Sequence, residues 1–317
     1  MPVTLLHDDD VLSLLNMHEL IPLLEEFLLE TQRGSAVTPS RHAVSFEPYG
    51  RLVFTIGGGH TGSRPVAGFR VYSTFPTSDG ADDDQVVAAW DSERGTLLGL
   101  IVGSSLGEWR TGALGGVAVK AMSRPDAQSC AVLGTGRQAR TQLLATAACR
   151  TLREIRVYGR DPERRHGFAA ALTDMIGVRV WPSETAQEAV EGADIVLCAT
   201  SSPTPVLETA WLKEGAHVNS VGPKTLTKHE LPFDLADRVT LLATDSIEQV
   251  NSYPEPYFLS RSAVWSELRE LATLLPSTTD GAEWRRDGVS LFCSAGLAGT
   301  EIVAAVHVLQ RHRDRRT

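Results

Sequence analysis

Short apolar runs alternate with helical segments from residue 127 onward. The runs are rich in Val, Ile, Leu and Ala, which is typical of strands that are buried on both faces of a sheet. The first predicted strand ends at Gly134. Five more are predicted at residues 154–158, 178–181, 193–200, 217–222 and 238–244. This alternation predicts an α/β fold with a doubly wound parallel sheet. The loops after the first, fourth and fifth strands then share the edge at which ligands bind.

The first part of the chain has a different pattern. Residues 17–28 have a helical pattern, and several strand-like segments follow with turn residues between them, at the spacing of β-hairpins. The predicted strands there comprise residues 51–56, 67–72, 85–90 and 97–102. Residues 111–122, rich in Ala and Gly, are expected to form a closely packed helix, and residues 291–310 one apolar helix. The amino-terminal part is therefore predicted to be β-rich.

The 317 residues are enough for two domains, and 42% hydrophobic residues allow a substantial core. The sequence Arg-Pro-Asp at residues 124–126 marks the change of pattern. We predict a first domain over residues 1–123, completed by a C-terminal helix at about 291–317. The second domain, over residues 124–290, is predicted to have the Rossmann fold.

Composition and charge exclude several classes of protein. The net charge is −9, with 30 basic and 39 acidic residues, which argues against a nucleic-acid partner. No apolar stretch reaches the length of a membrane span, and the amino terminus lacks the pattern of a secretory signal. Four scattered cysteines without close pairs indicate buried thiols. The histidines show no metal-ligand spacing. We therefore expect a cytoplasmic protein without a metal, a membrane or a nucleic acid as partner.

The most informative motif is the turn after the first predicted Rossmann strand. Gly134, Gly136 and Ala139 have the spacing G-x-G-x-x-A, and a helix and a second strand follow. Such a turn lets the backbone approach a pyrophosphate at the helix N-terminus. The motif predicts a dinucleotide cofactor and, with it, redox chemistry. Its predicted binding residues are Gly134, Thr135, Gly136, Arg137, Gln138 and Ala139 of the turn, with Thr200, Val221 and Gly222 from the later loops.

The end of the second Rossmann strand bears on the choice between NADP and NAD. Arg160 occupies the approximate place of the acidic residue that binds the 2′-hydroxyl of NAD, and Arg164 lies one helical turn further on. Guanidinium groups suit a 2′-phosphate because they are permanently charged, planar donors. Asp161 could serve NAD instead, although a helix N-cap before Pro162 explains it as well. We predict NADP, with NAD as the alternative.

The order of motifs along nearly the whole chain resembles the ornithine cyclodeaminase/μ-crystallin family. The motifs that carry the resemblance are Trp-Arg-Thr-Gly-Ala at 109–113, Arg-Pro-Asp at 124–126, Leu-Gly-Thr-Gly-Arg-Gln-Ala at 133–139, Asn-Ser-Val-Gly at 219–222 and Leu-Phe-Cys-Ser-Ala-Gly-Leu-Ala at 291–298. The resemblance implies a homodimer formed through the β-structure of the first domain, and a substrate between that domain and the nicotinamide. It also implies that Arg41 and Arg110 bind the substrate carboxylate, for which bidentate guanidinium groups are suited.

Two positions depart from the cyclodeaminase pattern. Arg70 stands where cyclodeaminases have an acid–base lysine, and arginine does not readily give up its proton. Lys224 stands roughly where they have an aspartate that activates the amine or water. Arg70 is therefore a candidate both for catalysis and for binding a carboxylate or oxyanion. Lys224 is a candidate proton donor, or a residue that binds a second carboxylate. His229 and Glu230 are weaker proton-donor candidates, since a helix start would also explain them.

These residues favour an NADP-dependent oxidoreductase that acts on a carbon–nitrogen bond next to a carboxylate. In one direction it would reduce an imine or ketimine of an amino-acid-like substrate, with the three arginines orienting one or two carboxylates. One alternative is a cyclodeaminase that eliminates ammonia with recycled NAD. Another is a protein like μ-crystallin that binds NADPH and a small ligand.

Overall fold

The computed structural model describes residues 3–76, 85–275 and 287–316. It divides into two compact units, Met1–Arg110 with Gly296–Thr317, and Thr111–Ala295. The strands are β1 (Thr4–Leu6), β2 (His42–Phe46), β3 (Gly50–Thr61), β4 (Arg64–Ser73), β5 (Val86–Asp91), β6 (Thr96–Val102), β7 (Ser129–Leu133), β8 (Glu154–Tyr158), β9 (Val180–Pro182), β10 (Ile195–Cys198), β11 (His217–Ser220), β12 (Val239–Thr244), β13 (Arg269–Glu270) and β14 (Val289–Cys293). The α-helices are α1 (Asp8–Leu14), α2 (Met17–Arg33), α3 (Ser105–Met122), α4 (Arg137–Cys149), α5 (Pro162–Ile176), α6 (Ala186–Val190), α7 (Ile247–Asn251) and α8 (Thr300–Asp314).

The first unit contains a six-stranded sheet in the order β1-β6-β5-β4-β3-β2. Neighbouring strands are antiparallel apart from the β1–β6 pair, which is parallel. Helix α8 packs on β3, β4 and β5 and against α2. Its buried residues include Ile302, Val303 and Val306, so the last helix of the chain completes the core of the first unit.

The second unit contains an eight-stranded sheet in the order β13-β12-β14-β11-β10-β7-β8-β9, and all of its pairs are parallel. Alternate residues of β7 enter two different core clusters, one containing Ala131 and Leu133 and the other Cys130 and Val132. The sheet is therefore covered on both faces, as the continuous apolar runs predicted. The strand order reverses beside β7, and ligand sites of doubly wound sheets lie at such a reversal. The predicted fold class is confirmed.

The prediction of one helix over residues 291–310 was wrong. Val289–Cys293 forms β14, which lies between β11 and β12, and α8 begins only at Thr300. Gly296 and Gly299, both with positive φ, lie between the two elements. A short apolar run is compatible with a buried strand or a buried helix, and here the place in the sheet decides for the strand. Residues 291–293 therefore contribute to the parallel sheet and not to the last helix.

None of the helices in the described residues combines the length and the apolar character needed to cross a membrane.

Candidate functional site

The glycine turn after β7 has the geometry that a dinucleotide requires. Gly134 has φ +116°, and a Cβ at this position would lie 2.3 Å from the carbonyl oxygen of Ala199, so a larger residue would be strained and would clash. Gly136 is the N-cap residue of α4 and provides no side-chain cap, and a Cβ there would meet no atom within 4 Å. The space beside Gly136, at the start of α4, is therefore open. This arrangement fits a pyrophosphate group.

The loops that follow β10 and β11 are joined by one buried carboxylate. Both oxygens of Glu230 accept hydrogen bonds, at Oε2 from the backbone N–H and the hydroxyl of Thr200 (2.9 and 2.8 Å) and at Oε1 from the Ser220 hydroxyl and the Gly222 N–H (both 2.7 Å). The Glu230 side chain is fully buried. Thr200 and Gly222, two of the predicted cofactor residues, thus share one partner. Val221 lies between Ser220, the last residue of β11, and Gly222 in the loop.

The end of β8 exposes the two arginines considered for coenzyme choice. Arg160 and Arg164 are both exposed. The Asp161 side chain accepts a hydrogen bond from the Arg164 N–H at 3.1 Å and is the N-cap of α5, with Pro162 as the first helical residue. Asp161 therefore has the capping role that the sequence suggested as its alternative.

Lys224 lies in the loop after β11 and is half-buried. Its Nζ donates a hydrogen bond to the carbonyl oxygen of Gly222 at 2.5 Å. Its backbone carbonyl accepts from the Phe258 N–H, and Lys224 also forms an isolated bridge with His229. The ammonium group is thus held at the loop predicted to bind the cofactor.

In the first unit, the structure brings together the three arginines that were predicted to bind the substrate. Arg70 on β4 and Arg110 on α3 both form ion pairs with Oε1 of Glu301 on α8, at 3.0 and 2.6 Å. Arg41 lies against Gly296, where a Cβ would overlap its Nη2. Arg41, Arg70, Arg110 and Glu301 form what we call the arginine cluster. Four segments far apart in sequence contribute to it.

Burial and charge make this cluster electrostatically distinctive. Burial alone would raise the pKa of Glu301, but the neighbouring Arg110, Arg70 and Arg41 together hold this pKa below its usual value. Burial lowers the pKa of Arg70; the Glu301 carboxylate opposes that shift, and the charges of Arg110 and Arg41 add to it. Glu301 is therefore the carboxylate that compensates a group of mutually repelling cations.

The donors of the two central arginines are used differently. Arg70 donates from Nε and Nη2 to Oε1 of Gln85, at 3.0 and 2.5 Å, and its guanidinium lies 4.4 Å from the centre of the Tyr72 ring. Arg110 is 4% exposed, yet its Nε and Nη1 have no hydrogen-bond partner among the described residues. Buried donors without a partner are rare, so Arg110 is suited to receive an anionic ligand.

The sequence reasoning missed Glu301 and Gln85, and it underrated Glu230. Glu301 follows the Gly-Leu-Ala motif by only a few residues, at the start of the last helix. The sequence did contain a signal for Glu301. It is a carboxylate only a few residues after a motif, in a chain with three candidate substrate-binding arginines. Glu230 was considered only as a weak proton donor, whereas both of its oxygens are occupied by donors from the cofactor loops.

Across the described ranges, no three His, Cys, Asp or Glu side chains are grouped so that they could hold a metal ion.

The parallel sheet and its glycine turn define the class of dinucleotide-binding α/β proteins. Within that class, the model of the "Ornithine cyclodeaminase/mu-crystallin family" matches residues 3–316, and the chain belongs to this family. The family and the fold predicted from the sequence are therefore confirmed.

Three of the proteins similar to this chain illustrate the likeness. It is 35% identical over 219 residues to a Rhizobium meliloti (strain 1021) protein named as a dehydrogenase, a match that covers 67% of this chain and 64% of that protein. It is 26% identical over 310 residues to a Delta(1)-pyrroline-2-carboxylate reductase of Bacillus cereus, covering 96% and 94% of the two chains. The structure of Thermococcus litoralis Delta(1)-pyrroline-2-carboxylate reductase in complex with NADH and L-proline superimposes with a TM-score of 0.86, at 28% identity over 99% of this chain and 98% of that one. The expectation of a nicotinamide-dependent oxidoreductase acting on carbon–nitrogen bonds agrees with these relatives.

Proposed function

We propose that this chain is an NADP-dependent oxidoreductase that reduces an imine or ketimine next to a carboxylate in an amino-acid-like substrate, or oxidises the matching amine. The observation that carries the proposal is the arginine cluster, with the buried and unpartnered donors of Arg110. A carboxylate is the planar anion that such donors bind best. The reductases similar to this chain are named for Δ1-pyrroline-2-carboxylate, a cyclic imine whose reacting carbon bears a carboxylate.

The residues of the chain have distinct roles in this proposal. Arg110 and Arg41 bind the substrate carboxylate and thereby orient the neighbouring imine carbon. Arg70 adds positive charge to the same cluster, where Glu301 and Gln85 hold its donors. It does not transfer a proton, because arginine does not readily give one up. A reduced nicotinamide, when bound, supplies hydride to the imine carbon. Lys224 supplies the proton that the nitrogen takes up.

The coenzyme preference rests on the end of β8. Arg160 and Arg164 are exposed where a 2′-phosphate would be recognised, and Asp161 is occupied as a helix cap. Because the capping carboxylate already accepts the Arg164 N–H, it is less suited to bind a ribose hydroxyl. Together these features favour NADP over NAD, with Gly134, Gly136, Thr200 and Gly222 binding the rest of the dinucleotide.

The exposed edge of the first sheet supports a homodimer. All five residues of β2 are exposed, and Phe46, Tyr49 and Ile56 are exposed by 46, 69 and 58%. An exposed edge strand with exposed apolar side chains on it and near it is a surface that another chain can cover. Light scattering coupled to size-exclusion chromatography should give twice the mass of the chain, and a monomer at micromolar concentration would count against this part of the proposal.

The experiment that tests the function is NADPH oxidation by the purified protein. Cyclic imino acids of five- and six-membered rings, and keto acids mixed with ammonia or amines, would be compared with NADPH and NADH, with ammonia release measured in parallel. We expect NADPH oxidation with an imine that bears a carboxylate and no release of ammonia. Ammonia release without net NADPH oxidation would indicate a cyclodeaminase instead, and binding of NADPH without any turnover would indicate a binding protein.

A further inference from the structure

Glu230 is a buried carboxylate that is stabilised by neutral donors. It is 0% exposed, and its two oxygens accept four hydrogen bonds from Thr200, Ser220 and Gly222, two of them from backbone N–H groups. A buried carboxylate is costly unless its acceptor sites are filled, and here they are filled by donors of the loop after β10 and by donors at the end of β11 and in the loop after it. The same carboxylate therefore holds the loop after β10 and the loop after β11.

The packing around Gly222 shows how closely these loops are joined. A Cβ at Gly222 would lie 2.3 Å from Oε2 of Glu230 and 2.4 Å from the carbonyl oxygen of Thr200. The backbone of Glu230 is fixed as well, because its N–H donates to the Pro223 carbonyl and its carbonyl accepts from the Val206 N–H, both at 2.9 Å. The carboxylate thus cannot move away from either loop without breaking several hydrogen bonds.

We propose that Glu230 is a positioning residue that holds the Thr200 and Gly222 loops in their cofactor-binding shape before the cofactor arrives. The inference rests on the proposed function in so far as that function places a dinucleotide at these loops. Glu230 does not transfer a proton in this role. Preorganised loops spare the binding reaction the entropy of ordering them, so the effect should be on cofactor affinity.

The perturbation that tests this is Glu230→Gln, which keeps the shape of the side chain but turns one acceptor oxygen into an NH2 group facing donors. We expect the NADPH dissociation constant, measured by fluorescence titration, to rise at least tenfold, while the KM for the imine at saturating NADPH stays within about twofold. Ser220→Ala removes one hydroxyl donor and keeps both backbone donors, so the NADPH dissociation constant should rise by less than about threefold.

A matched control separates cofactor binding from stability. Glu30 is also a buried carboxylate that accepts a backbone N–H, from His60 at 2.8 Å, but it belongs to the first unit. Glu30→Gln should lower the melting temperature without changing the NADPH dissociation constant. An equal loss of NADPH affinity in both variants, or none in Glu230→Gln, would overturn the proposal.

A second measurement does not depend on a folded variant. In the wild-type protein, hydrogen exchange at the amides of Thr200 and Gly222 should be slow without cofactor and change little when NADPH is added. Amides that become protected only with NADPH would show that the cofactor orders the loops, which would overturn the role of Glu230. A wild-type protein that binds neither NADPH nor NADH would instead refute the proposed function, whatever the exchange result.

Discussion

Replacing Glu301 by Gln removes the negative charge of the arginine cluster and keeps the shape of the side chain. Glu301 is 1% exposed, and Arg70 and Arg110 both form ion pairs with its Oε1. Removing one partner of a buried ion pair costs about 3–5 kcal/mol, because the remaining charge is left uncompensated. The amide oxygen can still accept a hydrogen bond, so we expect a loss near the lower end, about 3 kcal/mol. At about 2–4 °C per kcal/mol, the melting temperature should fall by roughly 10 °C.

The loss of stability caused by Glu301→Gln should depend on pH and on the anions present. Since the pKa of Glu301 is lowered in the folded protein, its ionised form stabilises the fold above the unfolded-state pKa, and this stabilisation disappears as the pH falls through the folded-state value. The difference in melting temperature between wild type and variant should therefore be constant from pH 6 to 8 and shrink in acid. Sulfate or malonate should stabilise the variant more than the wild type, because they bind the uncompensated cations.

The assay is thermal unfolding of both proteins across this pH range, with chloride at equal ionic strength as the control for sulfate. Glu26→Gln is the matched surface control, because its pair with Arg33 at 3.0 Å is largely exposed and such pairs contribute about 1 kcal/mol or less. If the Glu301→Gln and Glu26→Gln variants melt within about 2 °C of each other at pH 7, the cluster does not depend on Glu301 and our reasoning is refuted.

Three other outcomes can be checked independently. Replacing Arg160 and Arg164 together by Ala should lower the ratio of kcat/KM for NADPH to that for NADH at least tenfold, since charge-assisted bonds to a phosphate are lost; an unchanged ratio would remove the basis for the NADP preference. Gly134→Ala should abolish detectable NADPH binding in fluorescence titration, because its Cβ would clash with a neighbouring carbonyl in a strained conformation; wild-type affinity would contradict the turn's role. Burial lowers the pKa of His217 to about 4, so the unfolded chain takes up the proton first and stability should fall by up to about 3 kcal/mol between pH 6.5 and 4. Urea unfolding at several pH values should show this decrease in the free energy of unfolding, and His217→Gln should remove most of it; an equal decrease in both proteins would exclude His217 as its source.

The coarse organisation of this protein could be predicted because its signals are local. The parallel sheet follows from apolar runs that alternate with helices, and the dinucleotide turn follows from two glycines at a fixed distance from the end of a run. Arg160 and Asp161 were interpreted from their place after a strand, and Asp161 has the predicted capping geometry. Each of these signals lies within a few residues of the feature that it predicts.

The element at residues 289–293 shows the limit of such signals. Its last three residues, 291–293, are apolar enough for either a buried strand or the start of a buried helix, and from the sequence they were assigned to a helix over residues 291–310. These residues form a strand because they hydrogen-bond to β11 on one side and to β12 on the other. Neither partner is adjacent in sequence, so no local pattern contains the information.

The sequence alone determined the fold class, the position of the glycine turn and the residue types available to bind an anion. The tertiary structure alone decided that Glu301 compensates Arg70, 231 residues away along the chain, and that Glu230 joins two loops. The physical reason is that turns and helices depend on the dihedral angles of neighbouring residues, whereas a buried charge is tolerated only where the folded chain provides its counter-charge or its donors.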